Sequence, residues 1–326
     1  WEPAGATVLV TGAQGFIGSW LAERLLDAGA RVVVPRRDVE PEARFRVDGV
    51  EERCAVVAAD IEDYAAIARV INEHEVDAVF HLAAQTIVGT ANRSPLPTFE
   101  ANVRGTYVLL EACRAAAVFG RPVGRIVVAS SDKAYGSHDE LPYREDFPLQ
   151  PRFPYDVSKA CTDMIARSFA ATYELPVAVT RLANVYGGGD LNWSRIVPDT
   201  CRALVAGRPP EIRSDGTPER DYLHVDDAVD AYLTVAASLD RPELRGRAWN
   251  AGWGEPLSVR AVVDALIAAA GAQTAPRVLG SGTPAGEIDR QYLDSAAIGA
   301  ELGWAPRVAL ADGLRRTYEW YAARLV

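Results

Sequence analysis

The chain contains only two lysines, Lys133 and Lys159, and each lies in a segment whose residue types could do acid–base chemistry. All other basic side chains, apart from four histidines, are arginines. An arginine stays protonated, whereas the pKa of a lysine can be shifted by burial. The first lysine belongs to Ser-Ser-Asp-Lys at 130–133, and the second ends Tyr-Asp-Val-Ser-Lys at 155–159. Codon bias could also make lysine scarce, but it does not explain why the two remaining lysines are found at these positions.

Tyr155 and Lys159 are four residues apart in a stretch of helical character, so they share one helix face. A tyrosine with its ordinary pKa of about 10 is a poor base at neutral pH, and a nearby cation lowers that pKa. The pair can therefore serve as a general base or acid. Ser131, which follows a predicted strand, could hydrogen-bond the same substrate hydroxyl. Tyr-x-x-x-Lys pairs are common by chance, so this pair indicates a catalytic site only in combination with Ser131 and the glycine-rich segment described next.

The glycine-rich segment Thr-Gly-Ala-Gln-Gly-Phe-Ile-Gly at 11–18 follows the first predicted strand and begins the first predicted helix. In such a turn Gly12 permits the tight bend, Gly15 lets the backbone approach a pyrophosphate and Gly18 allows close helix–strand packing. The helix N-terminus supplies N–H groups for the phosphates. The pattern predicts a dinucleotide site, and a glycine-rich turn without a ligand is the alternative.

The second predicted strand ends in Arg36, Arg37 and Asp38. Arginines at this point can hold the 2′-phosphate of NADP, whereas an acidic residue there holds the ribose of NAD. The sequence therefore leaves NAD and NADP open. Asp60 could accept a hydrogen bond from the adenine amine, or it could cap the next helix together with Asp63.

Short apolar runs alternate with amphipathic runs through the first half of the chain. Strands are predicted at 7–10, 31–34, 54–58, 78–81, 125–129 and 177–181, with helices at 17–28, 64–74, 99–117 and 155–173. A late strand is predicted near 249–252, and helices at 257–270 and 310–325. This alternation predicts an α/β protein with a Rossmann-type doubly wound parallel sheet and a smaller C-terminal substrate-binding lobe. The predicted boundaries are 1–183 plus about 223–252 for the dinucleotide-binding domain, and 184–222 with 253–326 for the lobe.

Composition excludes several function classes. The net charge is −10 and the chain has no basic block, which argues against a nucleic-acid partner. No apolar run reaches the roughly 20 residues that a membrane helix needs. The four cysteines and four histidines lack metal-ligand spacing, so no metal site is predicted. The N-terminal residues do not read as a signal peptide, and a cytoplasmic location is expected.

Taken together, these residues resemble the extended short-chain dehydrogenases/reductases of the NAD-dependent epimerase/dehydratase type, which act on nucleotide sugars. The resemblance covers nearly the whole chain. The motifs that carry it are the glycine turn at 11–18, His-Leu-Ala-Ala-Gln at 81–85, Asn-Val-Arg-Gly-Thr at 102–106, Ser131, the Tyr155/Lys159 pair, Arg-Leu-Ala-Asn-Val-Tyr-Gly at 181–187, Arg-Asp-Tyr at 220–222, Val-Asp-Asp at 225–227 and Glu-Leu-Gly-Trp-Ala-Pro at 301–306.

The resemblance implies NAD or NADP, bound tightly and regenerated in every turnover. Tyr155 would take the proton of the sugar C4 hydroxyl, while Lys159 would hold the nicotinamide ribose and lower the tyrosine pKa. The implied cofactor contacts are Gly12, Gln14, Gly15, Phe16, Ile17, Gly18, Arg36, Arg37, Asp60, Ile61, Leu82, Ala83, Ala84, Gln85, Asn102, Tyr155 and Lys159. The implied contacts of a nucleotide-diphosphate sugar are Gln85, Ser131, Asn184, Arg195, Val197, Arg213, Arg220, Glu287 and Arg290. A homodimer through the helices at 99–117 and 155–173 is also implied.

Asp132 and Lys133 separate the two main activities of this family. Sugar 4-epimerases of this type usually carry small residues after the serine or threonine, whereas 4,6-dehydratases carry an acid pair or, in the cytidine-diphosphate-glucose kind, Asp-Lys. Asp132 and Lys133 thus resemble the 4,6-dehydratases that act on cytidine-diphosphate-glucose, whereas Arg36 and Arg37 resemble those that act on guanosine-diphosphate-mannose. Asp132 would protonate the leaving C6 hydroxyl and a neutral Lys133 would take the C5 proton. An epimerase, a non-catalytic dinucleotide-binding protein and a net reductase remain the alternatives.

Overall fold

The computed structural model describes residues 1–282 and 288–325, and its centre is a parallel β-sheet covered by helices on both faces. The predicted α/β fold class is therefore confirmed. The described strands are β1 (Thr7–Thr11), β2 (Arg31–Arg36), β3 (Ala55–Ala58), β4 (Ala78–His81), β5 (Arg125–Ala129), β6 (Val177–Leu182), β7 (Asn184–Tyr186), β8 (Glu211–Ile212), β9 (Glu219–His224), β10 (Ala248–Ala251), β11 (Pro256–Ser258), β12 (Arg277–Val278) and β13 (Arg290–Gln291).

The helices alternate with the strands of the main sheet and then gather in the second half of the chain. They are α1 (Phe16–Asp27), α2 (Arg44–Val47), α3 (Tyr64–Glu73), α4 (Val88–Arg93), α5 (Pro95–Phe99), α6 (Gly105–Val118), α7 (Pro154–Tyr173), α8 (Ile196–Val205), α9 (Val225–Ser238), α10 (Val259–Ala269), α11 (Ala296–Leu302) and α12 (Leu310–Ala322). Short 3₁₀ turns cover Glu51–Arg53, Asp132–Tyr135 and Pro242–Leu244.

The main sheet has the order β10-β6-β5-β4-β1-β2-β3, and every neighbouring pair in it is parallel. β1 pairs with β2 on one side and with β4 on the other, so the strand order reverses direction between β1 and β4. Ligands of doubly wound folds bind at such a switch point, outside the carboxyl ends of the strands. The loops after β1 and β4 therefore meet at the edge where the predicted cofactor residues lie.

Two apolar cores cover the two faces of the sheet. On one face α1 and α9 pack over residues that include Val10, Phe80 and Trp249. On the other face α3, α6 and α7 pack over residues that include Leu9 and Val128. Because the central strands β1, β4 and β5 are buried on both sides, their sequences are nearly continuous apolar runs rather than alternating ones.

A smaller lobe lies beyond the main sheet. Its sheet has the order β11-β9-β13, with β7 also paired to β9, and α8, α10 and α12 pack around a core of their own. The chain enters this lobe through the glycines at 187–189. A Cβ on Gly188 would lie 2.3 Å from the Trp320 ring, and the Gly188 carbonyl accepts a hydrogen bond from the Trp20 indole. The domain boundaries given above stay a prediction.

The helix expected at 99–117 begins earlier and is interrupted. α5 is followed by a π-helical turn at Glu100–Arg104, and α6 begins only at Gly105. The wider turn carries Asn102, whose side chain is buried and bonds outside its own helix. Within the described residues, no helix combines the length and the apolar character needed to cross a membrane.

Candidate active site

The glycine turn after β1 is packed so closely that two of its glycines tolerate no side chain. Gly12 has φ +73°, and a Cβ there would lie 2.7 Å from the Ala83 nitrogen at the end of β4. A Cβ on Gly18 would lie 2.2 Å from the Gly12 carbonyl oxygen. Gly15 caps α1 without a side-chain bond, so the first turn of the helix keeps N–H groups for an anion. The turn has the shape of a dinucleotide phosphate cradle.

Both arginines at the end of β2 are ion-paired with acidic side chains. Arg36 pairs with Glu51, and Arg37 pairs with Asp38 at 2.6 Å. The loops after β2 and β3 enclose a cleft of about 430 Å³, lined by Arg36, Arg37, Asp60 and Asp63 among others. Since nearby carboxylates already neutralise both guanidinium groups, a 2′-phosphate would have to compete for them. This arrangement suits NAD better than NADP.

Asp60 and Asp63 take different roles after β3. The Asp63 side chain caps α3 by accepting a hydrogen bond from the Ala66 nitrogen at 3.1 Å. Asp60 accepts a bond from the Glu62 nitrogen at 3.1 Å and lines the cleft. Both carboxylates line the cleft, and the helix cap that the sequence offered as the alternative role of Asp60 is made by Asp63.

His81 ties the ends of β1 and β4 to α6. Its Nδ1 lies 2.8 Å from the Thr11 hydroxyl and its Nε2 lies 3.0 Å from the Thr106 hydroxyl. Thr106 donates to the Asn102 carbonyl, and Thr11 accepts from the Ala83 nitrogen, so Nε2 carries the proton and Nδ1 accepts. Burial lowers the pKa of His81 to about 3, so the ring stays neutral. This uncharged network fixes the loop that begins at Leu82.

Asn102 connects the loop after β4 to the helix that carries Tyr155. Its side-chain oxygen accepts from the Gln85 nitrogen at 2.7 Å. Its amide nitrogen donates to the Gln85 carbonyl at 3.1 Å and to the Ser158 hydroxyl at 2.8 Å. Ser158 in turn donates to the Tyr155 carbonyl. Asn102 therefore acts on the site through the backbone that it positions.

Tyr155 and Lys159 are both buried and lie one helical turn apart on α7. The Lys159 ammonium donates to the Ala129 carbonyl at 2.9 Å, and burial lowers its pKa to about 8. Burial raises the pKa of Tyr155 to about 12. Arg195 lowers the Tyr155 pKa, while Asp132 and Asp156 raise it. Arg195 therefore adds a cation near the phenol, and the influence of Lys159 on the phenol stays a prediction.

Asp132 is a buried carboxyl group with one unpartnered oxygen. It lies in the 3₁₀ turn after β5, and 2% of the residue is exposed. Its Oδ1 accepts from the Ser131 hydroxyl at 2.9 Å, and its Oδ2 is buried without a hydrogen bond. Burial raises the pKa of Asp132, against the opposing charges of Lys133 and Arg220. Such a carboxyl group is suited to hold and donate a proton.

The predicted substrate residues divide into an inner and an outer group. Arg195 precedes α8 and binds Asp190 at 3.0 Å, and its charge acts on Tyr155. Arg220 on β9 is buried and acts on Asp132. Asn184 begins β7 with its amide nitrogen buried and unbonded. Arg195 and Arg220 thus come close enough to act on the catalytic turn, which is the 3₁₀ turn at Asp132–Tyr135 together with Tyr155.

The outer group lies on the surface of the lobe or inside it. Arg213 is exposed and pairs with Asp199 at 3.3 Å, and Arg290 is exposed and pairs with Glu219 at 2.5 Å. Val197 is buried in α8. No contact links these three to the catalytic turn in the described part of the chain. Glu287 lies outside the described residues.

Sequence reasoning missed two buried acids, Asp156 and Asp221. Asp156 follows Tyr155 directly, and burial raises its pKa to about 6, with Lys133 lowering it and Asp132 raising it. Asp221 accepts backbone N–H bonds from Trp253, Gly254 and Leu293, and burial raises its pKa to about 6. The only sequence signal was their proximity to the Tyr155 and Arg220 motifs, because burial of an acid cannot be read from its neighbours along the chain.

Hydrogen bonds among buried polar side chains hold the 3₁₀ turn at Asp132–Tyr135 in place. Arg181 on β6 binds both oxygens of Asp163 on α7, at 2.8 and 3.0 Å, and donates to the Tyr135 hydroxyl at 2.7 Å. Tyr135 closes the 3₁₀ turn and donates to Asn250 on β10. A buried ion pair needs all of its hydrogen bonds satisfied. The turn that carries Asp132 is therefore fixed to β6, α7 and β10 at once.

Comparison with known proteins gives a consistent picture. The model of the NAD dependent epimerase/dehydratase family matches residues 8–252. A UDP-glucose 4-epimerase of Mycolicibacterium smegmatis is 34% identical over 317 residues, covering 96% of this chain and 97% of that protein. A dTDP-glucose 4,6-dehydratase of Streptomyces griseus is 36% identical over 321 residues, covering 96% and 93%. The crystal structure of a Streptomyces venezuelae dTDP-glucose 4,6-dehydratase with NAD bound superposes with a TM-score of 0.86 at 32% identity, covering 98% of this chain and 97% of that one.

Proposed function

Because the chain belongs to the NAD-dependent epimerase/dehydratase family, we propose that it is a nucleotide-sugar 4,6-dehydratase. The reaction oxidises the sugar at C4, removes water across C5–C6 and returns the hydride to C6. The product is a nucleotide-linked 4-keto-6-deoxyhexose. The family itself is NAD-dependent and includes enzymes that modify nucleotide sugars.

The observation that carries this proposal is the state of Asp132. A 4-epimerase needs one acid–base group at C4, whereas a dehydratase needs a further acid for the C6 hydroxyl that leaves. Asp132 is buried, has an unbonded oxygen and has a pKa raised by burial, so it is easier to protonate than an exposed aspartate. Its Oδ1 also accepts a hydrogen bond from Ser131, the side chain predicted to bind the substrate hydroxyl. A surface Asp-Lys ion pair would show none of these properties.

When bound, NAD would accept the hydride from C4 and later return it to the sugar. We assign the pyrophosphate to the turn at Gly12–Gly18, because two of its glycines leave no room for a Cβ. The adenosine is assigned to the cleft at Arg36, Arg37 and Asp60, with Ile61 beside it. The loop 82–85, held by His81 and Asn102, would cover the cofactor, and Gln14, Phe16 and Ile17 would line the turn. Lys159, buried below Ala129, would reach the nicotinamide ribose.

The chain's own residues then divide the acid–base work. Tyr155 accepts the C4 hydroxyl proton, and the Arg195 guanidinium stabilises the phenolate that has to form first. Lys133 takes the C5 proton, which is acidic because it lies next to the new ketone. Asp132 protonates the C6 hydroxyl as it leaves. Arg195 and Arg220 are positioned to bind the diphosphate near the sugar, and guanidinium groups suit such an anion.

The 4-epimerase is the second candidate, because relatives with that activity are as similar to this chain as the dehydratases are. An epimerase would use the same Tyr155 chemistry at C4 and leave the mass of the sugar unchanged. It would give Asp132 and Lys133 no proton to transfer. The buried Asp132 therefore favours the dehydratase.

We also propose a homodimer and a cytoplasmic location. α6 and α7 pack side by side, and several large apolar side chains on or just beyond them are exposed, among them Phe119 at 79% and Met164 at 60%. A second copy of the chain could cover this surface. The four cysteines are free, which is usual in a reducing compartment.

Mass spectrometry after incubation with a panel of cytidine-, guanosine-, uridine- and thymidine-diphosphate hexoses tests the proposal. A product lighter by one water, with no net consumption of cofactor, identifies a 4,6-dehydratase and names its substrate. An unchanged mass with an inverted stereocentre identifies an epimerase and rejects the role given to Asp132.

Asp132→Asn separates the two chemical stages. The variant should still oxidise C4 but should lose water at least about 100-fold more slowly, so that reduced nicotinamide accumulates on the enzyme and is seen by its absorbance. Tyr155→Phe is the matched control, because it should bind NAD and substrate yet form no reduced nicotinamide. Elimination at the wild-type rate in Asp132→Asn would contradict the acid role.

A further inference from the structure

The end of β2 carries an arginine at a point where NAD-binding folds of this type usually have an acid. Arg36 is the last residue of β2. Leu9 lies opposite Val33 in the sheet, so β1 and β2 end at the same edge and Arg36 lies beside the glycine turn. An arginine at this point suits the 2′-phosphate of NADP. The chain nevertheless belongs to an NAD-dependent family, so another residue must set the preference for NAD.

Glu51 is the acid that occupies this arginine. It begins the 3₁₀ turn at Glu51–Arg53, 15 residues beyond Arg36 and outside β2. Its Oε1 accepts a hydrogen bond from Arg36, and its Oε2 lies 3.0 Å from the Nε of Arg46. Both oxygens of one carboxylate are therefore engaged, and Arg46 holds the carboxylate in the orientation that faces Arg36. The contact with Arg36 is mostly shielded from solvent, since 31% of the Arg36 side chain and 23% of the Glu51 side chain are exposed.

Asp38 is the other acid that could set the preference, but its ion pair lies in solvent. Asp38 is 75% exposed and its partner Arg37, at 2.6 Å, is 58% exposed. Ion pairs with this exposure contribute little, so they open readily for an anion. The more shielded contact between Glu51 and Arg36 is the one that a 2′-phosphate would have to break.

We propose that Glu51 determines the preference for NAD, because its carboxylate engages Arg36 and so denies that guanidinium to the 2′-phosphate of NADP. A phosphate beside Arg36 would also lie beside the Glu51 carboxylate, and the two anions repel each other. Without that carboxylate, Arg36 keeps no acidic partner within the described ranges of the chain. Its forked guanidinium would then be available to bind phosphate. The inference rests on the adenosine placement proposed above, and not on which reaction the sugar undergoes.

Glu51→Gln tests this assignment, because it removes the negative charge and keeps the size of the side chain. Fluorescence titration of the full chain, freed of bound nucleotide, measures the affinities for NADH and NADPH. The variant should bind NADPH at least about 10-fold more tightly than the wild type does, and NADH within about threefold of the wild type. The gain in NADPH affinity should shrink at about 1 M salt, because it is ionic.

Glu52→Gln is the matched control, because Glu52 is the next residue of the same turn and is exposed. It makes the same change in net charge and should leave both affinities unchanged. Adding Arg36→Ala to Glu51→Gln should abolish the gain in NADPH affinity, since it removes the guanidinium that the first change releases.

The proposal is wrong if Glu51→Gln keeps its NADH affinity and binds NADPH no more tightly than the wild type does. An equal gain in Glu52→Gln, or a wild type that binds both nucleotides equally, also overturns it. If Glu51→Gln does not fold, Glu51→Asp decides. Its shorter carboxylate cannot stay on both arginines, so a gain in NADPH affinity supports the proposal and no gain overturns it. If the wild type binds neither nucleotide, the proposed function fails, and this inference fails with it.

Discussion

At the scale of single residues, the site is a set of buried ionisable groups whose pKa values are shifted mainly by loss of solvent. Burial raises the pKa of Tyr155, Asp132 and Asp156 and lowers that of Lys159. Each shift moves a group towards its neutral form, which suits Asp132 as a proton donor and opposes formation of the Tyr155 phenolate. The charges of Arg195 and Lys133 then adjust individual groups.

Asp156→Asn should stabilise the folded protein at neutral pH. Burial raises the pKa of Asp156 from 3.8 to about 6, so ionisation of this group opposes folding. Below pH 4 the carboxyl group is protonated in both the folded and the unfolded protein and does not oppose folding. As the pH rises through 6, the group ionises in the folded protein and this stability is lost. Since one pKa unit corresponds to about 1.4 kcal/mol, the variant should gain up to about 3 kcal/mol at pH 7 and nothing near pH 4.

Denaturant unfolding of both proteins between pH 4 and pH 8 measures this difference. Asp139→Asn, at an exposed carboxylate in the loop after the catalytic turn, is the control and should show no such trend. If the difference in unfolding free energy between Asp156→Asn and the wild type stays constant with pH, burial does not raise the pKa of this carboxyl group.

At the scale of elements, the site depends on how closely the glycine turn approaches its neighbours. The turn lies against the loop after β4, and α1 begins directly above the Gly12 carbonyl. The network of Thr11, His81 and Thr106 holds the same loop from the other side. The distance between β1 and β4 is thus fixed by contacts that leave no room for an added methyl group.

Gly18→Ala should destabilise the protein and weaken NAD binding. The added Cβ would lie 2.2 Å from the Gly12 oxygen, so the turn or α1 must shift, which typically costs about 1–3 kcal/mol. Thermal unfolding with and without NAD measures both effects. Gly124→Ala is the control, because its Cβ would have no atom nearer than 3.6 Å. An unchanged melting temperature with full stabilisation by NAD would disprove the close packing.

At the scale of the whole molecule, the site is shared between the main sheet and the lobe. The proposed catalytic residues lie after β5 and on α7, while the arginines that act on them lie before α8 and on β9. The C-terminal segment returns to the main sheet, where the Asp227 carboxylate accepts the backbone N–H groups of Arg307 and Val308 at 2.9 and 3.0 Å. Movement of the lobe would therefore change the charges at Tyr155 and Asp132.

Met164→Lys should disrupt the proposed dimer. Met164 is 60% exposed on α7, and a buried lysine at an apolar interface would lose its solvation. Sedimentation velocity should show a shift from dimer to monomer. Val278→Lys, at an exposed apolar residue of the lobe, is the control and should leave the dimer intact. A dimer that survives Met164→Lys would place the interface elsewhere.

The sequence by itself determined the alternation of strands and helices, the glycine turn and the order of the catalytic motifs. These are local properties, because periodicity, turn chemistry and spacing act over a few residues. It also predicted that Ser131, Asp132, Lys133, Tyr155 and Lys159 are the catalytic residues.

Only the tertiary structure decided which charges meet. It directed Lys159 to the Ala129 carbonyl, brought Arg195 to Tyr155, paired Arg36 with Glu51 and buried Asp156 beside Asp132 and Lys133. These contacts join residues that are mostly far apart along the chain, and burial depends on what packs above a residue. No pattern in the neighbouring sequence carries that information, so the electrostatics of the site follow from the fold alone.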